Sequence, residues 1–368
     1  MTDFSANKCD FFPLKRLASV DFIRGLAILA MIQIHIWGFY ILKPHGFAVK
    51  FFEFLINPLG CYAAPLFVLV SGQSACLLAN ALQNSGCYNR AATDLQFLKR
   101  GLVLFALSTT INIIAGSILH FIEIPILNWS IFQLVGICLC FVPLFSRLRG
   151  WLVRFLWLAT VLFLPELFSS HTNQTSLLFT GFAPLFPWGF LFFAGMLVGE
   201  VHLRGLKASS AMRQYLLLAV GGLVLTGPVG FCLSKVYRPF SWEHRENPGA
   251  TSMLVFVGIF MLLVCFFGYL LDRRRYENRL VHAFVRFGQH SLTIYYLQLT
   301  GIVLSAMLIK SGLGYEVRLS WAWFLPLLIT TLVVIHAVLI IWSRFNYRFT
   351  LEWFLARIVK GKSTRSQL

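Results

Sequence analysis

The chain has 368 residues, of which 58% are hydrophobic and 12% charged, and its formal net charge is +17. Soluble domains carry about 25% charged residues, so this composition excludes an ordinary water-soluble globular fold. The basic excess reads as a membrane-orientation signal with anionic lipid headgroups as its partner, and no nucleic acid is needed to explain it.

Apolar runs of membrane length recur along the whole chain. In chain order they lie near 22–43, 53–81, 101–119, 130–146, 151–168, 183–201, 214–235, 251–271, 289–310 and 321–343. The region 53–81 is long enough for one tilted helix or for a helix plus a re-entrant piece. The expected fold class is all-α: a polytopic integral membrane protein of about ten transmembrane helices, or eleven. It reads as one membrane domain over 1–368, with a cytoplasmic lead at 1–18 and a cytoplasmic tail at 345–368. Charge placement supports this topology. With the N-terminus inside, 24 of the 31 basic residues fall on inner segments. The positive-inside rule then puts both termini in the cytoplasm. The eight cysteines give no disulfide framework, and most fall in or beside apolar spans as buried thiols.

The first span begins VDFIRGLAILAMIQIH, from Val20 to His35. Charged groups in such a run are costly and mark function. Asp21 and Arg24 are three apart and can pair on a helix. Arg24 and His35 are eleven apart, about three full turns, so both project from nearly one face with a rise of about 16 Å. Arg24 would sit at the cytoplasmic surface and His35 past the bilayer midplane. A snorkelling anchor and a hydrogen-bonded interior histidine are the bland readings of these two residues.

Further along, Ser71-Gly72-Gln73-Ser74 places two hydroxyls, a glycine and an amide inside the second span. Such residues serve helix packing, or Gly72 gives close access to a bound group that Ser71, Gln73 or Ser74 holds. Lys99 and Arg100 close the second inner segment, and Arg273-Arg274-Arg275 add positive charge to the inner face. Arg and Lys hold phosphate. Asn128 is an expected N-cap for the fourth span, and Gln133 and Gln289 are polar groups that could line a cavity. On the outer side stand His45, Glu53, Glu123, Glu166, His171, Glu243, His244 and Glu246. No pair has metal-ligand spacing such as H-E-x-x-H, so no metal is expected.

The pattern S-x-D-x-x-R-G-x-A-I-x-x-M-x-x-x-H, from Ser19 to His35, resembles the first helix of the transmembrane acyltransferase superfamily, which includes the acyltransferase-3 proteins. AAPLFVLVSGQS, from Ala63 to Ser74, is similar to that superfamily's second-helix motif. PLFPWGFLFFAGMLVG, from Pro184 to Gly199, resembles the bacterial heparan-α-glucosaminide N-acetyltransferase catalytic-domain-like proteins more closely than acyltransferase-3. GQHSLTIYYLQ looks like the family's G-x-x-S-L-x-x-Y-x-x-H helix, with Gln298 where the family has His. LEWFLAR, from Leu351 to Arg357, resembles the terminal tail.

The resemblance implies an acyltransferase of a bacterial cytoplasmic membrane. Acetyl-CoA, or another acyl-CoA, would bind from the cytoplasm with its phosphates near Arg24, Lys99 and Arg100. The acceptor would be a carbohydrate or a lipid-linked sugar of the cell envelope, taken at a hydroxyl or an amine. Neutral imidazole suits the base near pH 7. His35 would deprotonate the acceptor or carry the acyl group itself, and His45 is the alternative. Asp21, Ser71, Gln73 and Gln298 would support the substrates. Two other readings stand beside this one: a secondary transporter or permease, and a non-catalytic member of the fold. Against the transporter, no internal repeat of spans is visible. Either an oligomer or a monomer fits the sequence.

Overall fold

A computed structural model of the chain describes residues 16–41, 47–84, 89–119, 129–169, 183–207, 211–234, 249–314 and 318–360. Among the described residues there is no strand, only an isolated bridge between Ile41 and Leu319. The helices are α1 (Ala18–Tyr40), α2 (Phe47–Asn84), α3 (Arg90–Leu119), α4 (Ile131–Arg147), α5 (Trp151–Ser169), α6 (Leu185–Lys207), α7 (Ala211–Val224), α8 (Gly230–Ser234), α9 (Ala250–Phe267), α10 (Arg279–Gln289), α11 (Ser291–Leu313), α12 (Phe324–Ser343) and α13 (Leu351–Lys360). A π turn over Leu225–Val229, containing Pro228, joins α7 to α8, and a second one over Gly268–Arg273 ends α9. Proline removes a ladder hydrogen bond, and the wider π turn absorbs that loss.

Seven helical stretches among the described residues are long and apolar enough to cross a membrane: Ala18–Tyr40, Tyr62–Asn84, Arg90–Ile114, Leu185–Leu206, Ala211–Cys232, Ala250–Arg273 and Trp321–Ser343. The protein is an integral membrane protein. The long second segment is one continuous helix, so the re-entrant alternative for 53–81 does not hold. The segment 101–119 is also corrected. α3 already begins at Arg90, so Lys99 and Arg100 lie inside a helix and not in the segment before it. Asn89 makes this early start favourable, because its side-chain oxygen accepts the Ala92 amide at 2.8 Å.

The chain forms two compact units, interleaved in sequence. One is built from Val68–Tyr269 together with the chain from Leu355 onward, and the other from Leu17–Phe67 and Leu270–Phe354. In the first unit α6 is the central element. Its stretch from Phe190 to Val198 is buried throughout, with α4, α5, α7 and α9 against it. Apolar side chains that point away from this core, such as Leu217 and Leu223, are exposed and suited to lipid. In the second unit α1 is central, with α10, α11 and α12 around it. α10 is amphipathic: Val281, Phe287 and Gly288 are buried while Leu280 and His282 are exposed.

Within the units, helix pairs approach through glycines that answer each other. A Cβ on Gly25 would strike the Phe284 carbonyl of α10, and one on Gly288 would strike the Asp21 carbonyl of α1. Gly72 meets the Phe192 carbonyl and Gly195 the Leu69 carbonyl, joining α2 to α6. Gly101 and Gly136 do the same for α3 and α4, and Gly222 and Gly258 for α7 and α9. Between apolar helices in lipid there is little hydrophobic driving force, so close backbone contact supplies the attraction.

Candidate functional site

α1 carries the polar line of the second unit. Its N-terminus is pinned by Asp272, which accepts from the Ser19 backbone amide at 3.2 Å and from the Ser19 hydroxyl. Asp21 is buried, and its two oxygens are shared between Arg24, at 3.4 Å, and the Gln289 amide, also at 3.4 Å. Gln289 therefore supports Asp21. Three turns on, His35 is half-buried, and its Nδ1 lies against the side-chain amide of Gln298 on α11. Tyr40 continues the line by donating to the Ile302 carbonyl at 3.2 Å and sharing a hydrogen bond with Ser305. Gln298, Ile302 and Ser305 are spaced four and three apart, which puts them on one face of α11. The structure thus brings together Asp21 with Arg24 and His35 with Gln298.

The other predicted residues belong to the first unit. Gln73 is fully buried and hydrogen-bonds Nδ1 of His202 on α6 at 3.0 Å. The His202 ring stands edge-on to Tyr215 on α7, and its Nε2 occupies the space a side chain at Gly268 would take. Gly72 is closed off by the Phe192 backbone, so the expectation that it opens access to a bound group is corrected: it serves packing. The Ser74 hydroxyl bonds back to the Val70 carbonyl at 2.7 Å. Ser71 is partly exposed on α2; Lys99 is exposed and Arg100 half-buried, both on α3.

One further expectation falls to local structure. The N-cap of α4 is Ser130, which forms a capping box with Gln133, while Asn128 lies outside the described residues. Gln133 is fully buried and also donates to Thr109 at 2.8 Å. His45 lies outside the described residues, as do Glu123, His171, Glu243, His244 and Glu246, and the side chains of Glu53 and Glu166 are likewise not described. Among the described residues no group of three His, Cys, Asp or Glu side chains is placed to hold a metal.

Sequence reasoning missed three groups. His202 lies one residue beyond the predicted span 183–201, and a histidine in an apolar helix is the signal that points to it. Glu200 ties Arg154 at 2.5 Å and Arg204 at 3.7 Å, and Arg204 lies over the Trp151 ring. Glu352, in the terminal tail motif, accepts from the Leu292 amide at 2.7 Å, the Thr293 amide at 3.1 Å and the Thr293 hydroxyl. It closes the N-terminus of α11, where the orphan amides favour a carboxylate.

The family model described as heparan-alpha-glucosaminide N-acetyltransferase, catalytic, matches residues 16–227, which include Asp21, Arg24, His35, Gln73, Lys99, Arg100 and His202. No curated protein matches the chain. The match spans more than half of the 368 residues, and it begins on the helix that bears the polar line and takes in both glycine-joined helices α2 and α6. The chain belongs to the heparan-alpha-glucosaminide N-acetyltransferase catalytic family.

Proposed function

We propose that the protein transfers an acetyl group from acetyl-CoA, bound on the cytoplasmic side, to an amine or hydroxyl of a carbohydrate or lipid-linked sugar at the outer face, with His35 as the general base. The observation that carries this reading is His35 itself. It is an imidazole in a membrane-length helix within the family-matched segment, and its Nδ1 is engaged by the side-chain amide of Gln298. A histidine ring held through one nitrogen inside a span is suited to moving a proton through the other.

In the proposed step, the acceptor nitrogen or oxygen attacks the thioester carbonyl while Nε2 takes its proton. The carbon–sulfur bond breaks, and the departing thiolate receives that proton from the imidazolium as CoA thiol. Arg24 in one unit, and Lys99 and Arg100 in the other, are each candidates to meet a CoA phosphate. Asp21 would orient Arg24, Ser71 and Gln73 would support the bound substrates, and His45 is the alternative base. The topology that goes with this counts ten crossings, by adding α4, α5 and α11 to the seven long apolar stretches, with both termini in the cytoplasm of a bacterial cell. Anionic headgroups would sit against the basic inner face.

The test uses the purified full chain in nanodiscs with acetyl-CoA labelled on the acetyl carbon and glucosamine as acceptor probe. Release of CoA and labelled product should occur in the wild type and be lost in His35→Ala. Acetylation that survives His35→Ala overturns His35 as the base, and acetylation that survives both His35→Ala and His45→Ala overturns a histidine base altogether. A folded protein that binds no acetyl-CoA overturns the donor, and leaves the transporter reading in its place.

A further inference from the structure

The residue against His35 lies outside the family match, which ends at 227. Gln298 is 4% exposed and comes from α11. Nδ1 of His35 is 3.1 Å from its Oε1 and 3.0 Å from its Nε2. One ring nitrogen takes one of these bonds. Either Nδ1–H donates to Oε1, or the amide N–H donates to a bare Nδ1. The two choices put the ring proton at opposite ends. In the first, the imidazole Nε2 keeps its lone pair and can accept a proton. In the second it carries a hydrogen and cannot.

We infer that Gln298 is a positioning residue that sets the tautomer of His35, its Oε1 accepting Nδ1–H so that Nε2 is presented bare to the acceptor. The inference rests on the reading of His35 as the base.

Two arguments select this assignment. The first is continuity through the reaction. When Nε2 takes a proton the ring becomes imidazolium and both nitrogens are donors. An Oε1 already facing Nδ1–H keeps its bond and strengthens it, because one partner is now charged. An amide N–H facing Nδ1 would have to turn over inside a nearly closed site. The second is the absence of charge. A carboxylate in this position would orient the ring equally well but would add an anion to the span, which is costly there. Glutamine supplies the acceptor without the charge. The same logic places a third group behind the base in nucleophile–base pairs generally.

The tautomer can be read directly. The full chain, labelled with 15N at histidine and held in nanodiscs, gives ring-nitrogen signals, and the His35 pair is assigned by its loss in His35→Ala. The wild type should show a protonated Nδ1 and a bare Nε2. Gln298→Met keeps the length and removes the bond. It should lower kcat by about 10- to 100-fold, a share of the usual effect of a positioned base, with KM for acetyl-CoA unchanged. Gln298→Glu keeps an acceptor and should hold kcat within a few-fold of wild type. A proton on Nε2 in the wild type overturns the inference, and so does full kcat in folded Gln298→Met. If Gln298→Met does not fold, the wild-type spectrum and the Gln298→Glu rate decide the matter. The two levels separate cleanly. Activity in His35→Ala refutes the base itself, whereas inactive His35→Ala beside fully active Gln298→Met refutes only the role of Gln298.

Discussion

Gly72 and Phe192 meet backbone to backbone, and a methyl group on the glycine would fall on the phenylalanine carbonyl oxygen. Gly195 and Leu69 make the reciprocal contact one turn away along the same pair of helices. Neither obstacle is the flexible end of a side chain, so nothing nearby can swing aside. Gly72→Ala should therefore force α2 and α6 apart and cost about 1–3 kcal/mol or more. Size-exclusion profiles and thermal midpoints in detergent would report it as lost monodisperse protein. Ser71→Ala, on the partly exposed neighbour, should leave both unchanged. A Gly72→Ala protein of full stability that fails to bind acetyl-CoA would restore the ligand-access role for this glycine.

Glu352 and α11 offer a different kind of join. The carboxylate takes two backbone amides and one hydroxyl from Leu292 and Thr293, and the Thr293 hydroxyl in turn accepts the Leu351 amide at 2.9 Å. Removing the carboxylate leaves helix-terminal donors without an acceptor in a buried place. Glu352→Ala should lower stability by about 1–3 kcal/mol. Glu352→Gln, which keeps one acceptor oxygen, should cost less. Thermal unfolding of the two variants side by side checks the order. Equal midpoints for Glu352→Ala and wild type would remove Glu352 from the account of α11.

These two joins also show what was legible in the sequence. The glycines of DFIRG, SGQS and GQHS and the glutamate of LEW stand out as pattern, yet each works through a partner far along the chain. Gly72 answers a carbonyl 120 residues away, and Gln73 reaches His202 across 129 residues. Local physics read correctly where the partner is local: Asp21 and Arg24 pair three apart, and α1 is one continuous helix from Ala18 to Tyr40, as a single face through Arg24 and His35 requires. Hydropathy failed in two instructive places. It marks the apolar part of a helix and not its polar first turns, so α3 began eleven residues earlier than its apolar run. It also passes over a short amphipathic helix, so α10 falls between the predicted spans although Asn278 caps it by accepting the Val281 amide at 2.8 Å. The S-x-x-Q capping box at Ser130–Gln133 is legible as a pattern, whereas the bond from Gln133 to Thr109 depends on a neighbouring helix.

Arg24 separates topology from ligand binding. Its side chain is 19% exposed and lies 3.4 Å from Asp21 on the same face of α1, and a guanidinium is suited to a phosphate oxygen. If it meets a CoA phosphate, Arg24→Gln should weaken acetyl-CoA binding by about 10- to 100-fold, the worth of a charged hydrogen bond of about 1.5–3 kcal/mol. Lys99→Gln, on an exposed residue, should have a smaller effect. Isothermal titration with acetyl-CoA at two ionic strengths measures both. Unchanged affinity in folded Arg24→Gln would leave the residue as an orientation signal and an Asp21 partner only.

Two ion pairs in the first unit set a final comparison, in which burial decides the magnitude. Arg154 and Glu200 are 2.5 Å apart, with side chains 17% and 25% exposed, and Arg154 is further held by the Leu148 carbonyl at 3.1 Å. Asp94 and Arg147 also pair, but the Arg147 side chain is 63% exposed. Desolvation makes the loss of one partner expensive in the first case, because Arg154 would keep its charge away from water. Water replaces the lost partner in the second, where such pairs are worth at most about 1 kcal/mol. Glu200→Gln should therefore destabilise the protein by about 1–3 kcal/mol, below the cost at a fully buried pair because a quarter of the Glu200 side chain still meets solvent. Asp94→Asn should shift the unfolding midpoint little, and raised salt should erase even that difference. Equal destabilisation by the two substitutions would mean that the Arg154 site is as wet as the Arg147 site, and that Glu200 does not anchor α5 to α6.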